Sequence, residues 1–342
     1  MRYLSALSLI RSLVLLLPLA VIVTLSVGTI EISFDQMIQS AIASVMGSET
    51  NSQIAVILWD IRLPRVVLAL MVGAVLAVLG AVMQGLFRNA LADPSLIGVS
   101  GGASVGAGLM IVLAGGWLVS PIAGLSLVAL GAFLGGFITT LVVYRVATSN
   151  LGTSVTTMLL AGIAIGALAG AANSLLSYFS DNQMLRQISV WQMGSLSGAN
   201  WLKVSIMSVI CLCLIVQLPS QAKALNALLL GESEARYLGI NVQCIKRKLI
   251  FLTALGVGVS VALAGMIGFV GLVVPHTIRL MIGPDHRWLL PASALAGAIL
   301  MIIADCIARI AVLPAELPTG ILTALIGAPF FVALLLRQRR DI

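Results

Sequence analysis

The fold turns on RLPRVVLALMVGAVLAVLGAVMQGLF, residues 62–87. After Arg65 the chain runs from Val66 to Phe87, 22 residues, without a charge. A helix needs roughly 20 mostly apolar residues to cross the hydrocarbon of a bilayer, so this segment can span one. Comparable windows lie at about 12–30, 97–119, 121–143, 155–178, 202–218, 249–270, 289–311 and 318–336. A shorter apolar piece at 271–282 contains Pro275 and reads as a broken or half-length helix, which brings the segments to ten. Of the 342 residues, 60% are hydrophobic and only 9% charged, with a mean hydropathy of +1.13. Roughly a quarter of an ordinary globular chain is charged, and such a fold could not hide this much apolar surface. The chain therefore reads as an all-α integral membrane protein, a single domain over 1–342.

Charge sets the expected orientation. With the N-terminus inside, the inner segments hold Arg2, Arg11, Arg88, Arg145, Lys223, Arg236, Lys246, Arg247, Lys248, Arg279, Arg287, Arg337, Arg339 and Arg340, fourteen basic residues. The outer segments hold five: Arg62, Arg65, Arg186, Lys203 and Arg309. Positive residues resist translocation, so both termini are expected inside, with an even number of spans. The net charge of +7 then reflects topology and membrane lipid. No basic-aromatic patch points to nucleic acid. Residues 1–29 lack a small-x-small cleavage site and are read as the first span rather than a signal peptide.

Between the spans, 31–61 forms a long outer loop. Ser33 and Gln36 have capping-box spacing there, and Met37, Ile38, Ala41, Ile42 and Val45 make an apolar stripe, so a short surface helix is expected. In RNALADPSLIGVSGGASVGAG (88–108), Asp93 fits an N-cap and Pro94 the first helical position. LLAGIAIGALAGAANSLL (159–176) is dense in small residues, which suits close helix packing or a wide pathway. AVLGAVMQGLF (77–87) and ALAGMIGFVGL (262–272) echo each other, as two inverted five-helix halves would.

The longest polar interruption of the C-terminal half is 218–248, which carries five basic residues against Glu232 and Glu234. Ser220 fits an N-cap for QAKALNALLL, a helix with Leu225, Leu228 and Leu229 on one face. About ten helical residues rise about 15 Å, half a bilayer, so that helix must lie at the surface. Gly231 fits its stop. ESEARYL reads as a second short helix with acidic residues at its positive end, closed by Gly239. Two short helices projecting from the inner face suit the docking of a soluble partner.

Catalytic chemistry is not legible. No Gly-Lys pair exists, so the chain is no P-loop ATPase. No metal-ligand spacing occurs, and Cys211, Cys213, Cys244 and Cys306 read as packing residues. Of the two histidines, His276 beside Pro275 reads as structural and His286 as making local polar contacts. Asp305 precedes Arg309 by one helical turn, and the two are expected to pair. No resident cofactor is expected, and a stand-alone ion-coupled secondary transporter would want more buried carboxylate than this.

Together, residues 62–106, LLLGESEARYLGI (228–240), GMIGFVGLVVPHTIRLMIGPDHRWLLP (265–291) and DCIARIAVLPAELPTGILTALIGAPFF (305–331) closely resemble the FecCD-type permeases. These are membrane subunits of bacterial ABC importers for haem, ferric siderophores and vitamin B12. Ala90 departs from the pattern, standing where the family usually has proline after asparagine. The resemblance implies a permease in the bacterial inner membrane, ten spans per subunit, working as a homodimer or close heterodimer. It implies two cytoplasmic ATPase subunits and a periplasmic substrate-binding protein as partners. By the same resemblance 218–248 is the cytoplasmic coupling loop, with Leu228, Leu229, Gly231, Glu232, Glu234, Arg236 and Gly239 at the ATPase contact. Arg62, Arg65 and Arg309 match outer arginines that meet the binding protein. Asn89 and Leu91 fall in the inner gate loop, with Thr156 near its partner loop. LADPSLIGVSGGASVGAG (91–108) and GSLSGANW (194–201) resemble haem permeases more than those for siderophores or vitamin B12.

Overall fold

The computed structural model describes residues 5–28, 30–45, 53–114, 121–150 and 152–338. Arg2, Arg339 and Arg340, counted above as inside charges, lie outside them. In chain order the helices are α1 (Ala6–Ser26), α2 (Phe34–Val45), α3 (Gln53–Val56), α4 (Leu63–Phe87), α5 (Val99–Ala114), α6 (Pro121–Val146) and α7 (Val155–Tyr178). There follow α8 (Asn182–Met193), α9 (Trp201–Gln217), α10 (Ala222–Leu230), α11 (Glu232–Tyr237), α12 (Val242–Ala264), α13 (Val270–Ile282), α14 (His286–Ile310) and α15 (Thr319–Gln338). A π-helical turn, Ile57–Arg62, leads into α4, and strands β1 (Thr148–Ser149) and β2 (Gly152–Thr153) form a small hairpin between α6 and α7.

Among the described residues, seven helical stretches have the length and apolarity to cross a membrane: those built on α1, α4, α6, α7, α9, α12 and α14. Shorter apolar helices at α5, α13 and α15 bring the segments to the expected ten. The half-length piece is a helix in its own right, α13. In a membrane a helix that is apolar all round can face either protein or lipid, so packing and not apolarity separates the two. α4 and α12 form the centre, while no residue of the apolar window of α1 is buried. α4 packs on α14, and α12 packs on α6. Exchanging the two five-helix halves exchanges these pairs, as two structurally related halves would.

Close packing at the centre is made by glycine. A side chain at Gly73 would overlap the carbonyl of Gly297, and one at Gly297 would overlap Gly73 and Ala77. Without a hydrophobic drive between helices in lipid, such backbone approach is what associates them. Gly73→Val should therefore force α4 and α14 apart and cost at least the ~1–3 kcal/mol of an overpacked core. Thermal unfolding in detergent is the check. A melting temperature equal to the parent's would show that the crossing tolerates a side chain.

Local capping mostly follows the sequence. Gln36 N–H donates to Ser33 Oγ (3.3 Å) and Ser33 N–H to Gln36 Oε1 (2.9 Å), a reciprocal capping box at α2. Asp93 accepts from Ser95 N–H at 2.8 Å, although what it opens is a single 3₁₀ turn, Pro94–Ile97. Ser220 does not cap α10. The chain leaves α9 through a 3₁₀ turn, Pro219–Gln221, already in helical conformation, so no extended cap position exists. The Ser220 hydroxyl instead donates to Gln217 O at 2.7 Å. The helix α8 was not expected; Asp181 caps it, accepting from Met184 N–H at 2.8 Å.

Candidate coupling platform and translocation face

α10 and α11 form the platform. Leu225 and Leu228 are buried and seat α10 on the bundle, with Leu229 half-buried beside them. Gly231 joins the two helices at φ +141°, a conformation open to glycine alone among common residues, and a side chain there would strike Glu234. Gly239 closes α11 at φ +81°. Glu234 and Arg236 are exposed. The pattern reading missed the greasy rim: Leu230, Tyr237 and Leu238 are 68%, 90% and 64% exposed. Three large apolar groups facing outward beside a charged pair mark a contact surface.

The platform is fastened to the bundle at two points. Asn226 on α10 donates through Nδ2 to Asp285 Oδ1 (2.6 Å), and its Oδ1 accepts from the His286 backbone N–H (2.9 Å). His286 Nδ1 lies 2.9 Å from the same oxygen, the local polar contact expected of it. Asp285 also caps α14 and holds Arg287 in an ion pair at 2.6 Å. The Arg287 guanidinium, with the Asn226 amide, keeps Asp285 well below the usual carboxylate range, so this joint stays ionised at physiological pH. At the second point Glu232, expected to face a partner, gives its carboxylate to buried Lys246 at 2.6 Å. Lys246 also donates to Thr153 O in the hairpin at 2.8 Å.

At the opposite end the arginines expected to dock a partner are folded inward. Arg62, Arg65 and Arg309 are each 5% exposed. Arg62 donates to the carbonyls of Leu25, Ser26 and Ile30, around and beyond the C-terminus of α1, where helical acceptors have no partner of their own. Arg309 donates to Thr24 O at 2.8 Å. Arg65 grips both oxygens of Asp305 (2.9 and 3.2 Å from Nε) and reaches half-exposed Glu316 at 2.7 Å. Thr319 donates to Asp305 at 3.0 Å. The pairing of Asp305 with Arg309 exists, but at 3.6 Å it is the lesser contact. A buried carboxylate takes the partner with the best fork geometry, and Arg65 offers it.

Of the residues expected at a gate, Asn89 and Thr156 are exposed and Leu91 is half-buried. Asn89 Oδ1 accepts from Leu91 N–H at 2.9 Å, which shapes their loop. Ser154 caps α7, accepting from Thr157 N–H at 3.3 Å. α7 itself carries an unpartnered face: Leu160, Ile163, Leu168 and Leu175 are exposed, and space is open beside Gly166 and Gly170. A separate groove of about 560 Å³ lies between α4, α9 and α14, lined by apolar groups such as Val75, Leu214 and Leu290. It is not on the α7 side. Among the described residues no three His, Cys, Asp or Glu side chains gather as a metal site, and the four cysteines are free.

Comparison with known proteins extends this picture. The profile of the FecCD transport family matches residues 15–337. The hemin transport system permease protein HmuU of Yersinia pestis is 45% identical over 329 residues, 96% of this chain and 95% of its own length. The vitamin B12 import system permease protein BtuC of Salmonella paratyphi A is 45% identical over 282 residues, 82% of this chain and 84% of its own. A solved structure described as a metal-chelate type ABC transporter in an inward-facing conformation superposes with a TM-score of 0.81 at 35% identity, covering 97% of this chain and 99% of its own. PsaBC from Streptococcus pneumoniae, solved with a Fab, shares the fold at a TM-score of 0.56 and 18% identity, over 85% of this chain and 94% of its own.

Proposed function

The chain belongs to the FecCD transport family, and from that premise we propose that its cargo is haem, moved inward at the cost of ATP hydrolysed by a separate subunit. The protein is a multi-pass membrane permease of an ABC importer, and the family implies ATPase partners, a substrate-binding partner and dimeric assembly in general. One observation carries haem over vitamin B12. The likeness to the hemin permease extends over 96% of the chain, against 82% for the vitamin B12 permease at the same identity. Ferric siderophore is the second cargo of the same chemical class.

In this reading α10 and α11 sit on the cytoplasmic side of the bacterial inner membrane and receive the ATPase. Leu228 and Leu229 seat the first helix, Gly231 and Gly239 set the turns, Glu234 and Arg236 add polar contacts, and Glu232 braces the platform on Lys246. A second copy of the chain faces α7, whose open small-residue face then lines a pathway, with Asn89, Leu91 and Thr156 at its inner gate. The burial of Arg62, Arg65 and Arg309 supports an indirect part in docking. They hold the outer segments, with Glu316 at the rim, in the shape a binding protein would meet. Ion coupling has little support, because Asp305, the one buried carboxylate among the described residues, is already held by arginine.

Reconstituted in liposomes with its ATPase and binding protein, the permease should accumulate hemin only with ATP, and cobalamin poorly. Cobalamin uptake without hemin uptake would assign the cargo to the other branch. Uptake driven by an ion gradient with no ATP would remove the ABC reading.

A further inference from the structure

We propose that Lys246 is a positioning residue that ties the coupling platform to the hairpin leading into α7, so that one ammonium group conveys the platform's movement to the pathway side. The inference rests on the ATPase-driven reading above and concerns how the drive is delivered. Three segments meet at its Nζ. Glu232, the first residue of α11, lies 2.6 Å away, Thr153 O of the β1–β2 hairpin lies 2.8 Å away, and Lys246 itself belongs to α12.

The grip on the hairpin is two-handed. Gln243 and Lys246 are three residues apart and so share a face of α12. Thr153 N–H donates to Gln243 Oε1 at 3.0 Å, and Thr153 O accepts from Lys246. Both backbone polar groups of one residue are thereby held by side chains of another element, as a neighbouring strand would hold them. Gly152 lies against the Gln243 amide, where any side chain would collide. The next residue is Ser154, the cap of α7, whose own N–H donates to Ala147 O at 2.9 Å. A shift of Thr153 therefore shifts the first turn of α7.

Burial makes the joint directional. Lys246 is 2% exposed, and a buried ammonium group is stable only where hydrogen-bond acceptors and a counter-charge surround it. If the platform moves Glu232, Lys246 must follow or lose its counter-charge, and Thr153 follows Lys246. The platform's other fastening, through Asn226, reaches α14 and not the hairpin. Among the described contacts, Lys246 is the side chain that bonds the platform and the hairpin together.

The test is the number of ATP molecules hydrolysed per hemin imported, in liposomes with the complete importer. In Lys246→Met the ATPase should still assemble and hydrolyse, while uptake falls about tenfold, the scale of a lost charge-assisted hydrogen bond. The ratio should rise accordingly. Lys246→Arg, which keeps the charge and the reach, should restore much of the coupling. Gln243→Leu frees the hairpin N–H with the ion pair intact and should raise the ratio in the same direction, by less. Should Lys246→Met fail to fold, Gln243→Leu decides alone. Uptake and hydrolysis falling together, at an unchanged ratio, overturns the role of Lys246 but leaves the ABC reading standing. A wild-type chain that never stimulates the ATPase overturns both.

Discussion

Asp305→Ala should unfold the protein more readily than any exposed substitution. The carboxylate is 1% exposed and answers Arg65, Arg309 and Thr319 at once. Removing it leaves buried Arg309 without a counter-charge and Arg65 with Glu316 alone, and breaking a buried pair in this way costs about 3–5 kcal/mol. Replacing Arg65 as well, in Asp305→Ala combined with Arg65→Met, should recover part of the loss, because one of the two guanidinium groups that Asp305 held is then gone while Arg309 stays buried. Thermal denaturation in detergent with the purified permease distinguishes the cases. A single mutant that melts with the parent would mean that the cluster is hydrated and that Arg65 is free for another task.

The second large effect belongs to the platform rim. Charging Tyr237 and Leu238, as in Tyr237→Glu with Leu238→Glu, should abolish copurification of the ATPase without lowering the permease's own melting temperature. Both side chains face outward, so the folded chain alone loses nothing by the change. Apolar and aromatic anchors of an interface are commonly worth 2 kcal/mol or more each, about 30-fold in affinity. Gly231→Val should act on the same contact by another route, twisting the turn between α10 and α11, since its φ of +141° suits glycine. Copurification at wild-type yield in both variants would place the ATPase contact elsewhere on the permease.

The transmembrane frame was open to inspection in the amino-acid order because lipid imposes a length and an apolarity that few other contexts do. The window at 155–178 and the helix Val155–Tyr178 coincide. α8 escaped notice because it is short and half polar and so fails the length and apolarity of a span, although Met184, Leu185, Ile188 and Trp191 repeat at helical spacing behind the Asp181 cap. Ser220 misled for a different reason: a serine before an apolar run signals a cap only if the chain arrives extended, and here it arrives through a 3₁₀ turn.

The polar joints were harder. Local spacing offered Asp305 the partner one turn along its own helix, whereas the better one, Arg65, lies 240 residues away. Nothing in a single sequence reports such pairings. Lys246 was visible only as one more charge in a basic loop, and its burial depends on how α11, α12 and the hairpin converge. Tyr237 and Leu238 were quoted in a motif but not singled out, since an apolar residue in a short helix is more often seated than exposed.

The arginines at the end of α1 bear on the order in which the chain is made. Ribosomal synthesis delivers α1 first, yet the donors that occupy its last carbonyls arrive on Arg62 and, 285 residues after Thr24, on Arg309. Until α14 has been inserted, Arg62 is, among the described residues, the arginine that holds that end of α1. That corner of the bundle therefore closes late in biogenesis, and a nascent chain arrested before α14 would carry an α1 that lacks one of its two arginine latches.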